Sequence, residues 1–335
     1  MLNSVLAQKR GVYFKVISEC IKKICFNGRD SVTGGISSFN YDSRTVLLNN
    51  GYYMPILGVG TWSLSNEEAT DIVYNALKYG IRLIDTVRYY QCEKGVGKGI
   101  RQAIVDGIVK REDIFVTGKI MPMQYSLARK EIQESLHDLN LEYVDLMLVH
   151  QPGLGDRDVY HALENFVELQ KIKTLGISNY YTIEQIEEVL SYAQIMPSVI
   201  QNENHIYYQN HRLKEYIKRY NIVLTSWYPL GGRGYITDHL HNEMIVNMSN
   251  TYKKTPAQII LRWRLQSGNI SVPGSSNLLH IRQNYDIFDF ELLEAGTKKV
   301  KEEGTLEKAR AIVRVRSVEE LVEIDEDERL VLKPR

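Results

Sequence analysis

The sequence predicts a (β/α)8 (TIM) barrel, an α/β fold, with an N-terminal β-hairpin and extensions at both ends. Short apolar or β-branched runs alternate with segments of helical periodicity, so neighbouring strands are expected to pair in parallel across helical crossovers. Eight such units over about 250 residues match the usual size of this barrel. The eight runs are LGVGT (57–61), RLID (82–85), IFVTG (114–118), VDLMLV (144–149), KTLGIS (173–178), SVIQN (198–202), IVLTSW (222–227) and ISVP (270–273).

Length, composition and charge are those of a globular protein. The chain has 335 residues, 44% of them apolar, and its 41 basic side chains balance 41 acidic ones. Proteins that bind nucleic acid normally carry a basic excess, so we expect no nucleic-acid partner. The three cysteines, Cys20, Cys25 and Cys92, are too few for a disulfide framework and favour the cytoplasm. No apolar run is long enough for a transmembrane helix, so we expect no membrane partner.

Changes in local composition and periodicity divide the chain into three regions. They are an N-terminal extension (1–45), the barrel (46–292) and an atypical, charged C-terminal tail (293–335). Residues 12–26 carry apolar side chains at helical spacing and predict a short helix; a helix lying on a membrane surface is the alternative. Residues 27–45 are rich in Gly, Ser and Asn and predict a linker. Because no clean apolar segment precedes a cleavage site, a secretory signal is not expected.

Local signals support the assignment of elements within the barrel. The step Asn49-Asn50-Gly51 between two apolar runs predicts a tight hairpin turn. Capping boxes mark the starts of three helices. They lie at Ser65–Glu68, Thr182–Gln185 and Thr255–Gln258, the last with Pro256 at the first helical position.

The main rival fold is a doubly wound open sheet, which needs a Gly-rich phosphate turn after an early strand. The glycines of residues 95–99 lie inside a helical stretch instead, and we interpret them as a surface for close helix packing. The interval 228–269 is longer than the others and predicts one extended loop, which in a compact domain is usually functional.

Four ionisable residues follow three neighbouring strands in succession. Asp85 ends RLID, Tyr90 lies in the loop after it, Lys119 follows IFVTG, and His150 follows VDLMLV. A barrel directs the carboxyl ends of all its strands toward one cavity, so we expect these four side chains to meet there.

The chemistry of this set suits proton transfer to a carbonyl oxygen. A tyrosine has an ordinary pKa near ~10, and an adjacent ammonium such as that of Lys119 is expected to lower the pKa of Tyr90. The carboxylate of Asp85 would hold that lysine, and a neutral His150 would orient the substrate. No serine or cysteine nucleophile accompanies the set, and no metal ligands do. A metal-dependent hydrolase is therefore the weakest of the functions that we considered.

Further motifs make the chain resemble the aldo-keto reductase family over most of its length, and its HQP, WYPLGGRG and PGSSN segments are similar to bacterial 2,5-diketo-gluconate reductases. The motifs beyond Asp85, Tyr90 and Glu93 are GVGTW (58–62), VTGK (116–119), LVHQP (148–152), GISN (176–179), IQNENH (200–205), WYPLGG (227–232), PGSSN (273–277) and HIRQNYDIFDFEL (280–292). The resemblance implies an NAD(P)H-dependent oxidoreductase that reduces aldehydes or ketones to alcohols. It assigns the general acid to Tyr90, its activation to Lys119 and Asp85, and carbonyl orientation to His150.

The resemblance also implies a cofactor, NADP(H), with NAD(H) as the second candidate, bound in extended form without a Rossmann fold. The family pattern places substrate contacts at Trp62, His150 and Gln151. It places cofactor contacts at Gly60, Thr61, Ser178, Asn179, Gln201, Trp227, Leu230, Gly232, Gly274, Ser275, Ser276, His280, Gln283 and Asn284. The partner is then a small-molecule carbonyl compound, and the barrel, large enough to bury its own core, is expected to be a monomer.

The chain departs from the family pattern at several positions. Gly274 and His280 stand where many members carry Lys and Arg for the 2′-phosphate of NADPH, so we expect relaxed use of both coenzymes. Gln151 replaces a common Trp and favours small, polar carbonyl substrates. Arg88 either competes for Asp85 or extends into solvent. The tail after residue 292 does not follow the family, although Ser317 could cap a last short helix.

An alternative function is a catalytically weak barrel that binds the cofactor and acts as a redox-sensing or partner-binding module. The presence of all four ionisable residues argues against it.

Overall fold

Eight parallel strands form the centre of the computed structural model, which describes residues 39–293 and two short strands near the C-terminus. Each strand pairs with the next one along the chain, and the predicted order of strands is confirmed. The strands are β4 (Gly58–Gly60), β5 (Leu83–Asp85), β6 (Phe115–Ile120), β7 (Val144–Val149), β8 (Ile172–Ser178), β9 (Val199–Glu203), β10 (Val223–Trp227) and β11 (Ile270–Ser271).

The barrel closes between its first and last strands by isolated bridges. Leu57 pairs with Ser271, and Gly60 pairs with Gly274, both in parallel orientation. A Cβ atom added at Gly60 would lie 3.0 Å from the carbonyl oxygen of Val272, so glycine allows the two backbones to approach. The predicted (β/α)8 barrel is thereby confirmed.

A small antiparallel sheet precedes the barrel and packs against the N-terminal ends of its strands. It contains β1 (Phe39–Asn40), β2 (Thr45–Leu47) and β3 (Tyr53–Pro55). The predicted hairpin turn joins β2 to β3, with Gly51 at φ +90°. Because β1 begins at residue 39, the interpretation of residues 27–45 as a linker is wrong for its last seven residues; the predicted helix at 12–26 lies outside the described residues.

Helices surround the barrel, and the capping boxes predicted at Ser65, Thr182 and Thr255 are confirmed. The glycines at 95, 97 and 99 lie in the helix Glu93–Val105 and are buried against neighbouring elements. A Cβ atom at Gly99 would lie 2.7 Å from the carbonyl oxygen of Thr70 in the preceding helix. The helices are α1 (Asn66–Lys78), α2 (Glu93–Val105), α3 (Tyr125–Leu139), α4 (Asp156–Glu168), α5 (Ile183–Tyr192), α6 (His211–Ile217), α7 (Gly232–Leu240), α8 (Glu243–Tyr252), α9 (Pro256–Gln266) and α10 (Leu278–Tyr285).

The interval 228–269 differs from its prediction as one extended loop. It folds into α7 and α8 before the barrel helix α9. Ile245 and Met248 of α8 are buried in one apolar cluster with Trp263 of α9, which explains why this segment is helical. The long connection is therefore packed structure rather than loop.

Two strands near the C-terminus, β12 (Val322–Ile324) and β13 (Leu330–Leu332), pair in antiparallel orientation. The predicted helix start at Ser317 lies outside the described residues. Within the part of the chain that the structure describes, no helix has both the length and the apolar character needed to cross a lipid bilayer.

Candidate active site

The four predicted catalytic residues meet at the carboxyl ends of three adjacent strands. Asp85 is the last residue of β5, Lys119 lies near the end of β6, and His150 directly follows β7. Tyr90 ends a single 3-10 turn, Arg88–Tyr90, between β5 and α2. The barrel thus brings together side chains that lie 65 positions apart in the sequence, from 85 to 150.

A buried ion pair forms the floor of the site. Nζ of Lys119 donates to Oδ1 of Asp85 at 2.5 Å, and both side chains are less than 6% exposed. The second carboxylate oxygen accepts from Nε2 of Gln201 at 2.7 Å. Burial alone would lower the pKa of Lys119, but the Asp85 carboxylate and the Tyr90 phenol outweigh it and raise that pKa above its ordinary value. The lysine is therefore held as an ammonium.

Tyr90 lies beside this ammonium, with Nζ of Lys119 5.4 Å from the centroid of its ring. The ring also packs edge-on against Trp62, at 4.8 Å between centroids. Burial raises the pKa of Tyr90, and Lys119 lowers it by less, so the net shift is upward. Lys119 thus acts on the pKa of Tyr90 in the expected direction, but burial outweighs it and the phenol is not made more acidic overall. A raised pKa keeps the phenol protonated at neutral pH, as a proton donor must be.

His150 is held as a neutral imidazole. Burial first, and the charge of Lys119 second, lower its pKa to about 4. Its Nδ1 atom is buried and has no hydrogen-bond partner within the described structure. A pKa this low agrees with the expected neutral histidine, which can exchange a hydrogen bond with a carbonyl compound without carrying a charge.

These side chains line a cleft of about 670 Å³. It includes most of the predicted contact residues, namely Gly60, Trp62, Asp85, Tyr90, Lys119, His150, Gln151, Ser178, Asn179, Gln201, Trp227, Leu230, Gly232, Gly274, Ser275 and Ser276. It also includes residues that the sequence analysis missed, namely Ser63, Leu64, Glu68, Tyr89, Met121, Tyr228, Pro229, Ile236, Val272 and Pro273. Many of the missed residues directly follow or precede a residue that was predicted, in the loops after the strands.

On one side of the cleft, the amide of Asn179 and the hydroxyl of Ser178 are held by hydrogen bonds. Nδ2 of Asn179 donates to the carbonyl oxygen of His150 at 2.8 Å, and Oδ1 accepts from Nε1 of Trp227 at 3.0 Å. Asn179 adopts the left-handed conformation at φ +63°, which asparagine tolerates better than most residues. Oγ of the adjacent Ser178 donates to the backbone of Gln201 at 2.7 Å. These contacts fix the polar groups in place before any ligand binds.

Four predicted cofactor contacts do not line the cleft. Thr61 is fully buried, and its hydroxyl donates to the carbonyl oxygen of Asp85 at 3.1 Å, so it supports the end of β5. His280 is exposed on α10 with Nδ1 3.5 Å from Oγ of Ser275, and Gln283 and Asn284 lie further along the same helix. These four residues lie outside the cleft lining, and their contacts with a cofactor stay predictions.

The polar and aromatic groups that line the cleft suit a nicotinamide dinucleotide. Ser178, Asn179 and Gln201 offer hydroxyl and amide groups to a carboxamide, and Trp227 offers a flat aromatic surface beside them. The cleft continues to residues 274–276 just before the N-terminus of α10, where backbone N–H groups suit a phosphate. Within the described residues, no group of three His, Cys, Asp or Glu side chains is placed to hold a metal ion.

Comparison with known proteins agrees with this site. Residues 56–303 match the Aldo/keto reductase family. The chain is 37% identical to an NAD(P)H-dependent D-xylose reductase of Candida tropicalis, over 74% of this chain and 88% of that protein. It is 38% identical to a glyoxal reductase of Bacillus subtilis, over 76% of this chain and 91% of the relative.

A solved structure gives the same result. The aldo-keto reductase of Bombyx mori, crystallised in complex with NADP, superimposes with a TM-score of 0.72 at 29% identity, covering 77% of this chain and 92% of that one. The family match covers well over half of the chain, and its segment contains the eight barrel strands and the residues that line the cleft. The chain therefore belongs to the aldo/keto reductase family.

Proposed function

We propose that this protein reduces aldehydes or ketones to alcohols with a hydride from NAD(P)H. The observation that carries the proposal is that Tyr90 shares one cleft with Lys119 and His150, with the Lys119 ammonium 5.4 Å from the centroid of its ring. The curated relatives include reductases of xylose and glyoxal, both small carbonyl compounds. The protein is thus an enzyme of the oxidoreductase class.

Each side chain has a separate task in the proposed reaction. When bound, the reduced nicotinamide supplies the hydride to the carbonyl carbon. Tyr90 gives its phenolic proton to the carbonyl oxygen, and the ammonium of Lys119 stabilises the phenolate that remains until water returns the proton. His150 donates a hydrogen bond to the same oxygen and orients it. Asp85 keeps Lys119 charged in a site where burial favours the neutral amine.

The residues of this chain also argue for the coenzyme. Ser178, Asn179 and Gln201 would hold the carboxamide, and Trp227 would lie against the nicotinamide ring. The charged pair that grips a 2′-phosphate in many relatives is replaced by Gly274 and His280, so NADP(H) is bound without strong preference over NAD(H). Steady-state kinetics with both coenzymes test this. An NADPH preference above a thousandfold would refute it, since that ratio corresponds to ~4 kcal/mol of selective binding.

Substrate size follows from the entrance of the cleft. Gln151 is exposed and lines the cleft where a bulky Trp is common in the family. We therefore propose small, polar carbonyl compounds as substrates, as in the bacterial 2,5-diketo-gluconate reductases. We further propose that the protein is a cytoplasmic monomer, since the barrel buries its own core. A cofactor-oxidation assay across sugars, keto acids and aromatic aldehydes tests the substrate class.

Replacing Tyr90 by Phe tests the central role. We expect kcat to fall by at least ~10²-fold, the usual effect of a lost general acid, while coenzyme still binds. Tyr53→Phe is the matched control, because Tyr53 is 65% exposed in β3, does not line the cleft and should leave kcat unchanged. Turnover like that of the wild type in Tyr90→Phe would overturn the proposal. Coenzyme binding without any turnover in the wild type would instead favour the sensing module.

A further inference from the structure

Arg88 makes an unusual set of ion pairs next to the catalytic tyrosine. Its Nε atom lies 3.0 Å from Glu131, one terminal nitrogen lies 2.7 Å from Glu134, and the other lies 2.8 Å from Asp138. All three carboxylates belong to α3. The expectation that Arg88 competes for Asp85 or extends into solvent is therefore wrong, because each nitrogen group of its guanidinium is already engaged.

The turn that carries Tyr90 is short, and besides Arg88 it is attached through Nδ2 of Asn66, which donates to the carbonyl oxygen of Gln91 at 3.1 Å. It is one 3-10 turn, held internally by backbone hydrogen bonds from Tyr90 to Val87 and from Gln91 to Arg88, both 2.9 Å long. Tyr89 is 66% exposed at the edge of the cleft. Gln91 ends the turn in the left-handed conformation at φ +60°. A turn this short does not determine the position of the Tyr90 side chain by itself.

The partner of Arg88 is the helix that follows the strand of Lys119. Lys119 lies in β6, and α3 begins at Tyr125 after a connection of four residues. Arg88 therefore ties the turn that holds the proton donor to the same strand–helix unit that holds the ammonium.

We propose that Arg88 is a positioning residue, which sets the place of Tyr90 relative to Lys119 by binding the three carboxylates of α3. This rests on the proposed role of Tyr90 as the proton donor. A small displacement of a reacting group is enough to lower the rate strongly, because proton transfer needs a close and well-aligned contact.

Among the described residues, the other cations beside these carboxylates are poorly placed to take over this task. Lys94 lies 3.8 Å from Asp138 and Lys130 lies 3.6 Å from Glu134, but these lysines are 72% and 70% exposed. Such exposed pairs contribute little. Without Arg88, the three carboxylates of α3 would face one another with weak compensation, and the turn would lose its ion pairs to α3.

The test compares Arg88→Ala with Lys130→Ala, which removes a cation from the same cluster without touching the turn. We expect Arg88→Ala to lower kcat by roughly 10- to 100-fold with little change in the KM for coenzyme. Lys130→Ala should retain the kcat of the wild type. Glu134→Gln, which weakens the pair from the side of α3, should lower kcat by a smaller factor and provides the answer if Arg88→Ala does not fold.

A double-mutant cycle with Tyr90→Phe separates positioning from a general loss of structure. In the Tyr90→Phe background, Arg88→Ala should have no further effect on the residual rate, whereas a merely structural role would lower both rates equally. If Tyr90→Phe is inactive but Arg88→Ala and Glu134→Gln both keep full kcat, the role of Arg88 is refuted and that of Tyr90 stands. If Tyr90→Phe is fully active, both proposals fail.

Discussion

The replacement of Asp85 by Asn would break the ion pair at the floor of the site while preserving its shape. The two charges are 2.5 Å apart and almost fully buried. At an effective dielectric constant of ~20 their attraction is about 6–7 kcal/mol. An Asn side chain keeps a hydrogen bond to the ammonium worth about 1.5–3 kcal/mol. The expected loss of unfolding free energy is therefore about 4 kcal/mol, within the range for breaking a buried pair.

The pH dependence of this loss has a definite sign. In the wild type the pKa of Lys119 is raised, so its stabilisation is complete below ~10.4 and is lost only as the pH rises through the higher folded value. In Asp85→Asn, the effect of burial on Lys119 is no longer opposed by a carboxylate at position 85, so the pKa of Lys119 in the folded protein falls below ~10.4. The variant then gains stability as the pH rises. The difference in unfolding free energy between the wild type and Asp85→Asn should therefore shrink from pH 7 to pH 9.5.

Urea unfolding followed by tryptophan fluorescence measures both quantities, since the fully buried Trp263 reports the loss of the barrel. The double variant Asp85→Asn with Lys119→Met is the control. It removes both charges and should recover most of the lost stability. The reasoning is refuted if Asp85→Asn lies within ~1 kcal/mol of the wild type at pH 7, where about 4 kcal/mol is expected. It is also refuted if the deficit is the same at both pH values.

Two other predictions concern stability. Because burial holds the pKa of His150 at about 4, below its ordinary ~6.5, the folded protein should lose stability as the pH falls between these values. His150→Gln should flatten that part of a pH series of urea midpoints, and an unchanged slope would contradict the assignment. Gly95→Ala should destabilise the protein by ~1–3 kcal/mol despite the better helix propensity of alanine, because its Cβ would overlap the carbonyl of Asn66. Lys98→Ala on the exposed face of the same helix should change the melting temperature little, and equal effects would argue against close packing.

The strands and helix starts could be predicted because their signals are local. Each capping box needs only two side chains three positions apart, and the structure shows these bonds at Ser65 and Thr182. The helices α7 and α8 were missed because Gly231 and Gly232 suggest a loop. Both glycines adopt positive φ angles at the start of α7, and the packing of α8 on α9 decides the rest. That packing joins residues that no short window of sequence contains.

The site was predicted best where a side chain follows a strand directly. Asp85, Lys119 and His150 needed only the barrel topology to come together. The direction in which the pKa of Tyr90 shifts could not be predicted. It depends on whether the effect of burial exceeds that of Lys119, and a sequence does not show how deeply a side chain is buried. The burial of Thr61 depends on a hydrogen bond from its hydroxyl to the backbone of Asp85, which a motif does not contain.

The closure between β4 and β11 has a consequence for ligand binding. The last strand has two residues, and its junction with the first strand consists of isolated bridges. Gly60 and residues 274–276 line the cleft from opposite sides of this seam. A dinucleotide bound across this junction would contact both of the strands that meet there. Saturation with coenzyme should therefore hinder their separation and raise the melting temperature of the whole barrel.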